Sequence, residues 1–73
     1  MGVPELVPVD SSSIEAIGYD AARRELHVRF LNGGVYVYSA VSPETHRALM
    51  DAESKGRYLN LEIKPGHAYR LAR

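Results

Sequence analysis

Apolar and polar residues alternate most regularly over residues 26–40. The first half of this stretch places its apolar side chains on one face of a predicted strand and its polar side chains on the other. The apolar positions are Leu26, Val28 and Phe30, and the polar ones are His27 and Arg29. Residues 14–19 and 35–40 are predicted to pair with this strand on either side. The pattern predicts a three-stranded antiparallel β-meander over residues 14–19, 25–30 and 35–40, with one covered and one wet face.

The turn at residues 31–34 decides which face the two tyrosines of the third strand occupy. A two-residue turn at Asn32-Gly33, the strongest short-range hairpin signal, places Tyr36 and Tyr38 on the wet face beside basic side chains. A three-residue turn, with Gly33 left-handed in a bulge, shifts the register by one residue and places both tyrosines on the core face.

We favour the three-residue turn, because a lone three-stranded sheet needs the apolar area of Tyr36 and Tyr38 on its covered face. Tyr36 then lies opposite Val28, and Tyr38 lies opposite Leu26. Tyr36, Tyr38 and Gly33 are therefore predicted to be structural residues. The same register leaves Val35 and Val37 partly exposed on the other face.

One main helix is predicted to follow the sheet. Ser42-Pro43-Glu44 is typical of a helix start, with a capping side chain, a proline in the first position and an acid in the first turn. The helix is expected to end at Glu53 or Ser54, with Gly56 as its C-cap. Its apolar stripe, which is predicted to pack on one face of the sheet, consists of Thr45, Ala48, Leu49 and Ala52.

The two ends of the chain are less regular. Leu59 and Ile63 suit a short helical segment, Pro65-Gly66 breaks it, and residues 68–71 suit a short C-terminal strand on a sheet edge. Residues 1–10 contain two prolines and no periodicity, which predicts an extended or mobile lead-in. The sequence therefore predicts one α+β domain over residues 11–73.

Composition narrows the function classes. The chain has 73 residues, zero formal net charge and no cysteine, which fits a reducing cytoplasm. It contains no apolar run long enough to span a membrane and no start typical of a signal peptide. Charge is uneven, however: residues 55–73 contain five basic residues and one acidic residue, whereas residues 1–54 contain four basic and eight acidic residues. Such asymmetry can indicate an anionic partner.

Catalytic and metal-binding patterns are not found in the sequence. His27, His46 and His67 lie far apart without metal-ligand spacing, and the serine run at residues 11–13 lacks a nucleophile elbow. The glycines do not form a phosphate-cradling loop. We therefore expect no enzyme activity, no cofactor and no metal.

Aromatic residues interleaved with basic residues form the more informative pattern. Single-stranded nucleic acid is often held by stacking on aromatic rings beside cations that contact phosphates. Tyr36 and Tyr38 with His27 and Arg29 are one such set, but the C-terminal set has the stronger positive charge. The candidate nucleic-acid-binding residues are Lys55, Arg57, Tyr58, Lys64, Tyr69 and Arg70.

These motifs, in this order over residues 10–70, resemble the KTSC domain, a small domain that also occurs at the C-terminus of some lysyl-tRNA synthetases and as a free-standing bacterial protein. The residues that carry the resemblance are Ser12-Ser13, Ile14, Ile17, Gly18-Tyr19-Asp20, Leu26, Val28, Phe30, Asn32-Gly33, Tyr36, Tyr38, Val41, Pro43, Ala52, Ser54, Gly56, Tyr58, Asn60 and Ile63. The chain departs from the family at Val37, where a polar residue is common. The resemblance implies no established activity and supplies no catalytic residue, and the fusion to a tRNA ligase suggests RNA binding.

The sequence thus favours a small, cytoplasmic, non-catalytic binding module whose partner is RNA. The alternative is a protein–protein interaction or homo-oligomerisation domain that pairs through an open sheet edge or an exposed face.

Overall fold

The computed structural model describes residues 4–72, which form an antiparallel sheet covered by helices on one face. The five strands lie in sequence order across the sheet: β1 (Val7–Pro8), β2 (Ile14–Asp20), β3 (Glu25–Phe30), β4 (Val35–Tyr38) and β5 (Tyr69–Leu71). Helix α1 (Pro43–Asp51) and helix α2 (Lys55–Tyr58) lie between β4 and β5 in the chain, and α2 continues as a π-helical segment (Leu59–Ile63) and a 3-10 turn (Lys64–Gly66). The predicted α+β class is confirmed. The sheet has five strands rather than a three-stranded meander with one C-terminal edge strand, because β1 adds a strand that the sequence did not predict.

The turn between β3 and β4 has the three-residue form. Gly33 has a φ of +96°, and its backbone N–H donates to the Phe30 carbonyl at 2.9 Å. The register places Leu26 opposite Tyr38 and Val28 opposite Tyr36, as the bulged turn requires. The prediction that both tyrosines lie on the core face is therefore confirmed.

Helix α1 begins as predicted and ends earlier. The Ser42 side chain accepts a hydrogen bond from the Thr45 backbone N–H at 3.1 Å, and Pro43 opens the helix. The helix ends at Asp51 because Ala52 is extended, so Gly56 is not its C-cap and that prediction is wrong. Gly56 lies inside α2, which begins at its own N-cap, Ser54.

Gly56 has a different structural role: it allows α2 to approach Ser13 closely. A Cβ at this position would lie 2.6 Å from the Ser13 Oγ, well inside van der Waals contact. The glycine therefore lets the start of α2 lie against the loop that leads into β2.

The core forms a single layer between the sheet and the helices. β2 and β3 contribute two residues each, and the remainder come from β4, the β4–α1 loop, α1 and the π-helical segment. Leu59 and Ile63 belong to this core, which confirms the short helical segment predicted from their spacing. The core consists of Ile14, Ile17, Leu26, Val28, Tyr38, Val41, Leu49, Leu59 and Ile63.

The predicted C-terminal edge strand is also confirmed. β5 pairs antiparallel with β4, placing Tyr38 opposite Tyr69 and Val37 opposite Arg70. Side chains alternate across a strand, so Tyr69 lies on the helix-covered face of the sheet and Arg70 on the opposite, helix-free face. All three residues of β5 are exposed.

The predicted lead-in adds the fifth strand. Val7 and Pro8 pair with Ile17 and Ala16 of β2. Residues 4–8 are termed the strap below. The strap crosses β2 at Gly18, where a Cβ would lie 2.7 Å from the Glu5 carbonyl oxygen. Residues 1–3 of the predicted lead-in, and Arg73, lie outside the described residues.

The helix-free face is less exposed than the sequence suggested. Val37 is fully buried and His27 is 6% exposed, so the expectations of a partly exposed Val37 and a solvated His27 are wrong. The physical reason is that the strap crosses this face over Gly18, the residue paired with His27, and that β5 adds Arg70 beside Val37. No helix within residues 4–72 has the length and apolar character that a membrane crossing requires.

Candidate functional site

Four aromatic rings form a row at the edge of the sheet where β5 joins β4. Tyr69 of β5 lies beside both tyrosines of β4, with ring centroids 5.6 Å from Tyr36 and 5.7 Å from Tyr38. Phe30 of β3 extends the row, since its ring meets Tyr36 edge-on at 5.5 Å. These separations fall in the range of favourable aromatic pairing. The row exists because the bulged turn and the β4–β5 register bring the rings to one face of the sheet.

The row borders an open groove, termed the aromatic groove below. Lys64, at the start of the 3-10 turn, and Asn32, in the β3–β4 turn, contribute the polar part of its lining. The Asn32 carboxamide oxygen is already engaged, because it accepts a hydrogen bond from the Gly34 backbone N–H at 2.9 Å. The groove has a volume of about 260 Å³ and is lined by Phe30, Asn32, Tyr36, Tyr38, Lys64 and Tyr69.

The three tyrosines differ in exposure. Tyr38 is buried at 1% exposure, Tyr36 is half-buried, and Tyr69 is 58% exposed. The row therefore runs from the core to the solvent, and Tyr69 presents the largest accessible ring area. A flat ligand that enters the groove would meet Tyr69 first and the half-buried Tyr36 next.

Burial and clustering keep the Tyr38 hydroxyl protonated. Burial raises the pKa of Tyr38, and the neighbouring hydroxyls of Tyr36 and Tyr69 raise it further because a second phenolate nearby would be repelled. At neutral pH the Tyr38 hydroxyl is therefore neutral, and a neutral hydroxyl can both donate and accept hydrogen bonds.

The structure divides the six candidate nucleic-acid-binding residues among three places. Lys64 and Tyr69 meet in the aromatic groove. Arg57 and Tyr58 of α2 line a different groove, and the Lys55 ammonium donates to the Ala52 carbonyl at 3.1 Å.

Arg70 lies on the helix-free face, where its guanidinium is 3.3 Å from the Glu25 carboxylate. The six candidate residues, predicted from the sequence to act as one basic and aromatic set, therefore lie on separate surfaces, and only Lys64 and Tyr69 border the row of aromatic rings.

Four lining residues of the groove lie outside the favoured candidate set: Phe30, Asn32, Tyr36 and Tyr38. Tyr69 reaches the side of Tyr36 and Tyr38 only in the observed register of β4 with β5, and no local sequence signal specifies that register. Among residues 4–72, no three side chains of the metal-ligating types His, Cys, Asp and Glu lie together.

Comparisons with known proteins identify the family of this chain. The sequence model of the KTSC domain family matches residues 10–69. A protein of Tsukamurella paurometabola is 50% identical over 58 residues, which cover 80% of this chain and 87% of that protein. A protein of Stutzerimonas stutzeri is 45% identical over 61 residues, covering 84% and 86% respectively.

A solved structure gives the same result. The crystal structure of a KTSC domain protein from Yersinia pestis superposes with a TM-score of 0.92 at 37% identity, covering 97% of this chain and all of that one. The match extends over the sheet and the helices alike. The chain therefore belongs to the KTSC domain family.

Proposed function

We propose that this domain is a cytoplasmic, non-catalytic module that binds single-stranded RNA through the aromatic groove. The observation that carries the proposal is the row of four rings that ends at an exposed tyrosine and a lysine. Proteins that bind single strands combine stacking surfaces for the bases with cations for the phosphates. The groove has both elements on one concave surface.

Each group in the groove has a distinct task in this proposal. An unpaired base stacks on the Tyr69 ring, which is the most exposed of the row, and its edge reaches the hydroxyl of Tyr36. Lys64 contacts the adjacent phosphate. Stacking of one base on one aromatic side chain contributes about 1–3 kcal/mol, so loss of the Tyr69 ring should weaken binding measurably.

The number of cations at the groove predicts a weak salt dependence. Lys64 is the one cation among the lining residues, whereas Arg57 and Arg70 lie elsewhere on the surface. For single strands, the logarithm of the binding constant falls with the logarithm of the salt concentration at about −0.7 per phosphate neutralised. A groove that holds one phosphate thus predicts a slope of about −0.7, while the four cations of the whole candidate set would give about −3.

Fluorescence anisotropy with labelled single-stranded RNA tests the proposal. Tyr69→Ala should weaken binding about tenfold, because it removes the exposed stacking ring, and Tyr69→Phe should retain most of the affinity. Lys64→Ala should weaken binding and flatten the salt slope. Arg57→Ala, which removes an exposed cation outside the groove, is the matched control and should bind as the parent protein does. Equal affinity of the Tyr69→Ala protein and the parent, or no binding at low salt, refutes the proposal.

The open edge of β5 favours a second candidate, which is pairing with another protein chain. β5 is the last strand of the sheet, and its final residue, Leu71, is 65% exposed. Exposed strand edges present unpaired backbone groups that a partner strand can bind. Sedimentation over a range of protein concentrations distinguishes the two candidates. A dimer that Leu71→Lys disrupts, in a protein that does not bind RNA, supports pairing.

A further inference from the structure

The helix-free face contains a second groove, which is separate from the aromatic one. It lies between the strap and β5, with Leu6 at one side and Arg70 at the other. Its volume is about 320 Å³, within the range of small-molecule sites. The side chains that matter for its chemistry are Leu6, His27, Arg29, Val35, Val37 and Arg70. This set combines apolar groups with two guanidinium groups and one imidazole, and we refer to it as the arginine groove.

His27 is the unusual member of this set. Its side chain is 8% exposed, and neither Nδ1 nor Nε2 makes a hydrogen bond within residues 4–72. The Glu25 carboxylate lies 3.8 Å from Nε2, beyond hydrogen-bonding distance. Buried polar groups in folded proteins are nearly always hydrogen-bonded, so the two imidazole nitrogens, which no protein group among residues 4–72 engages, can take a further partner.

Charge in the arginine groove is unbalanced toward the positive. The Arg70 guanidinium pairs with Glu25 at 3.3 Å, which accounts for one positive and one negative charge. Arg29, which is half-buried, forms no ion pair with any carboxylate of residues 4–72. A partly desolvated guanidinium is stabilised by an oxyanion, which it can hold through two parallel hydrogen bonds.

We propose that the arginine groove binds a small organic oxyanion, a carboxylate or a phosphate attached to an apolar or planar body. The oxyanion pairs with Arg29 and approaches Arg70, and the body lies over Val35 and Val37. The His27 imidazole at the base of the groove gains a hydrogen-bonding partner from the ligand. This site is independent of the aromatic groove, because the two lie on opposite faces of the sheet.

Binding at this site moves the strap. Both nitrogens of His27 are covered, so a ligand that reaches them displaces a side chain of the lining. Leu6 is the lining residue on the strap, which pairs with β2 through two residues alone. The Leu6 methyl signals should therefore respond to the ligand together with those of Val35 and Val37.

NMR titration of the isotope-labelled full chain tests the proposal with benzoate and phenyl phosphate as probes and neutral benzamide as the matched control ligand. We expect saturable shifts of the Arg29 side chain, the His27 ring and the Leu6 and Val37 methyls with at least one of the two anions, and none with benzamide. A response to benzoate alone assigns the ligand as a carboxylate, and a response to phenyl phosphate alone assigns it as a phosphate.

Substitutions complete the test. Arg29→Gln should weaken anion binding about tenfold, and Arg29→Lys, which keeps the charge, should bind with intermediate affinity and shows that a loss is not due to unfolding. Arg57→Gln is the control for removing a guanidinium elsewhere. Three results overturn the proposal: no saturation at anion concentrations of about 10 mM, equal binding of benzamide, or equal binding by the Arg29→Gln and Arg57→Gln proteins.

Discussion

Replacing Gly18 by alanine should detach the strap from the sheet. The added methyl would lie 2.7 Å from the Glu5 carbonyl oxygen and 2.8 Å from the Leu6 Cδ2. The first of these atoms is backbone, which cannot rotate away as a flexible side chain does. Either the strap shifts as a unit or β2 distorts. A shift of the strap costs less free energy, because β2 pairs along its length with β3.

The expected cost follows from two opposing effects. Overpacking of this kind destabilises by about 1–3 kcal/mol, while alanine in place of glycine stabilises by about 0.4–1 kcal/mol through the unfolded chain. The net expectation is a loss of about 1–2 kcal/mol. For a chain of this length, such a loss lowers the melting temperature by about 5–15 °C.

Urea unfolding monitored by circular dichroism measures this loss, and Gly66→Ala is its matched control. A Cβ on Gly66 has no neighbour within 4 Å among the described residues, so that variant should be neutral or slightly more stable. In the Gly18→Ala protein, the largest amide shifts should fall on the strap at Glu5 and Leu6. If Gly18→Ala unfolds at the same urea concentration as Gly66→Ala, the strap does not pack on Gly18 as described.

Three further predictions concern the backbone, the approach of α2 and pH. Ala40 has a φ of 58°, so Ala40→Gly should stabilise by up to about 1 kcal/mol in thermal unfolding, whereas the control Ala48→Gly inside α1 should destabilise by about 1 kcal/mol. Gly56→Ala should gain stability when Ser13→Ala has removed the hydroxyl that it would meet, and a double-mutant cycle measures that coupling. Burial lowers the pKa of His27 and outweighs the opposing effect of Glu25, so the unfolded chain binds the proton more readily. Stability should therefore fall as pH drops below about 6.5, and less so in a His27→Gln protein; a His27 pKa above 6.5 in an NMR titration would contradict this.

Local rules were sufficient for the centre of the chain. The need to bury Tyr36 and Tyr38 selects the bulged turn, and the structure has that turn with Gly33 left-handed. The Ser42-Pro43 start of α1 is likewise fixed by capping chemistry within a few residues. Where a single local interaction decides the conformation, that conformation can be predicted from the sequence.

The predictions failed where distant segments compete. The prolines at positions 4 and 8 conceal the strap, because its pairing depends on space above Gly18 rather than on its own pattern. Gly56 resembles a helix C-cap, yet Ser54 starts a new helix before it.

The candidate site depends on pairing at longer range. The aromatic groove forms because β5 returns to β4 after both helices, a register that no local signal specifies. The sequence could therefore identify Tyr69 and Lys64 as candidates without identifying the rings they would join.

The three-residue strand β5 has a consequence for how the aromatic groove responds to its surroundings. All three residues of β5 are exposed, and backbone hydrogen bonds hold this end of the chain to β4. One of them joins the Ala72 N–H to the Val35 carbonyl at 2.7 Å. Segments with so little buried surface open locally at a fraction of the free energy of global unfolding. Each opening removes Tyr69 and uncovers Tyr38, so the groove exists only in the closed population. A ligand that bridges Tyr36 and Tyr69 would therefore slow hydrogen exchange at the Ala72 amide, and the occupancy of the groove would be linked to the fraying of the sheet edge.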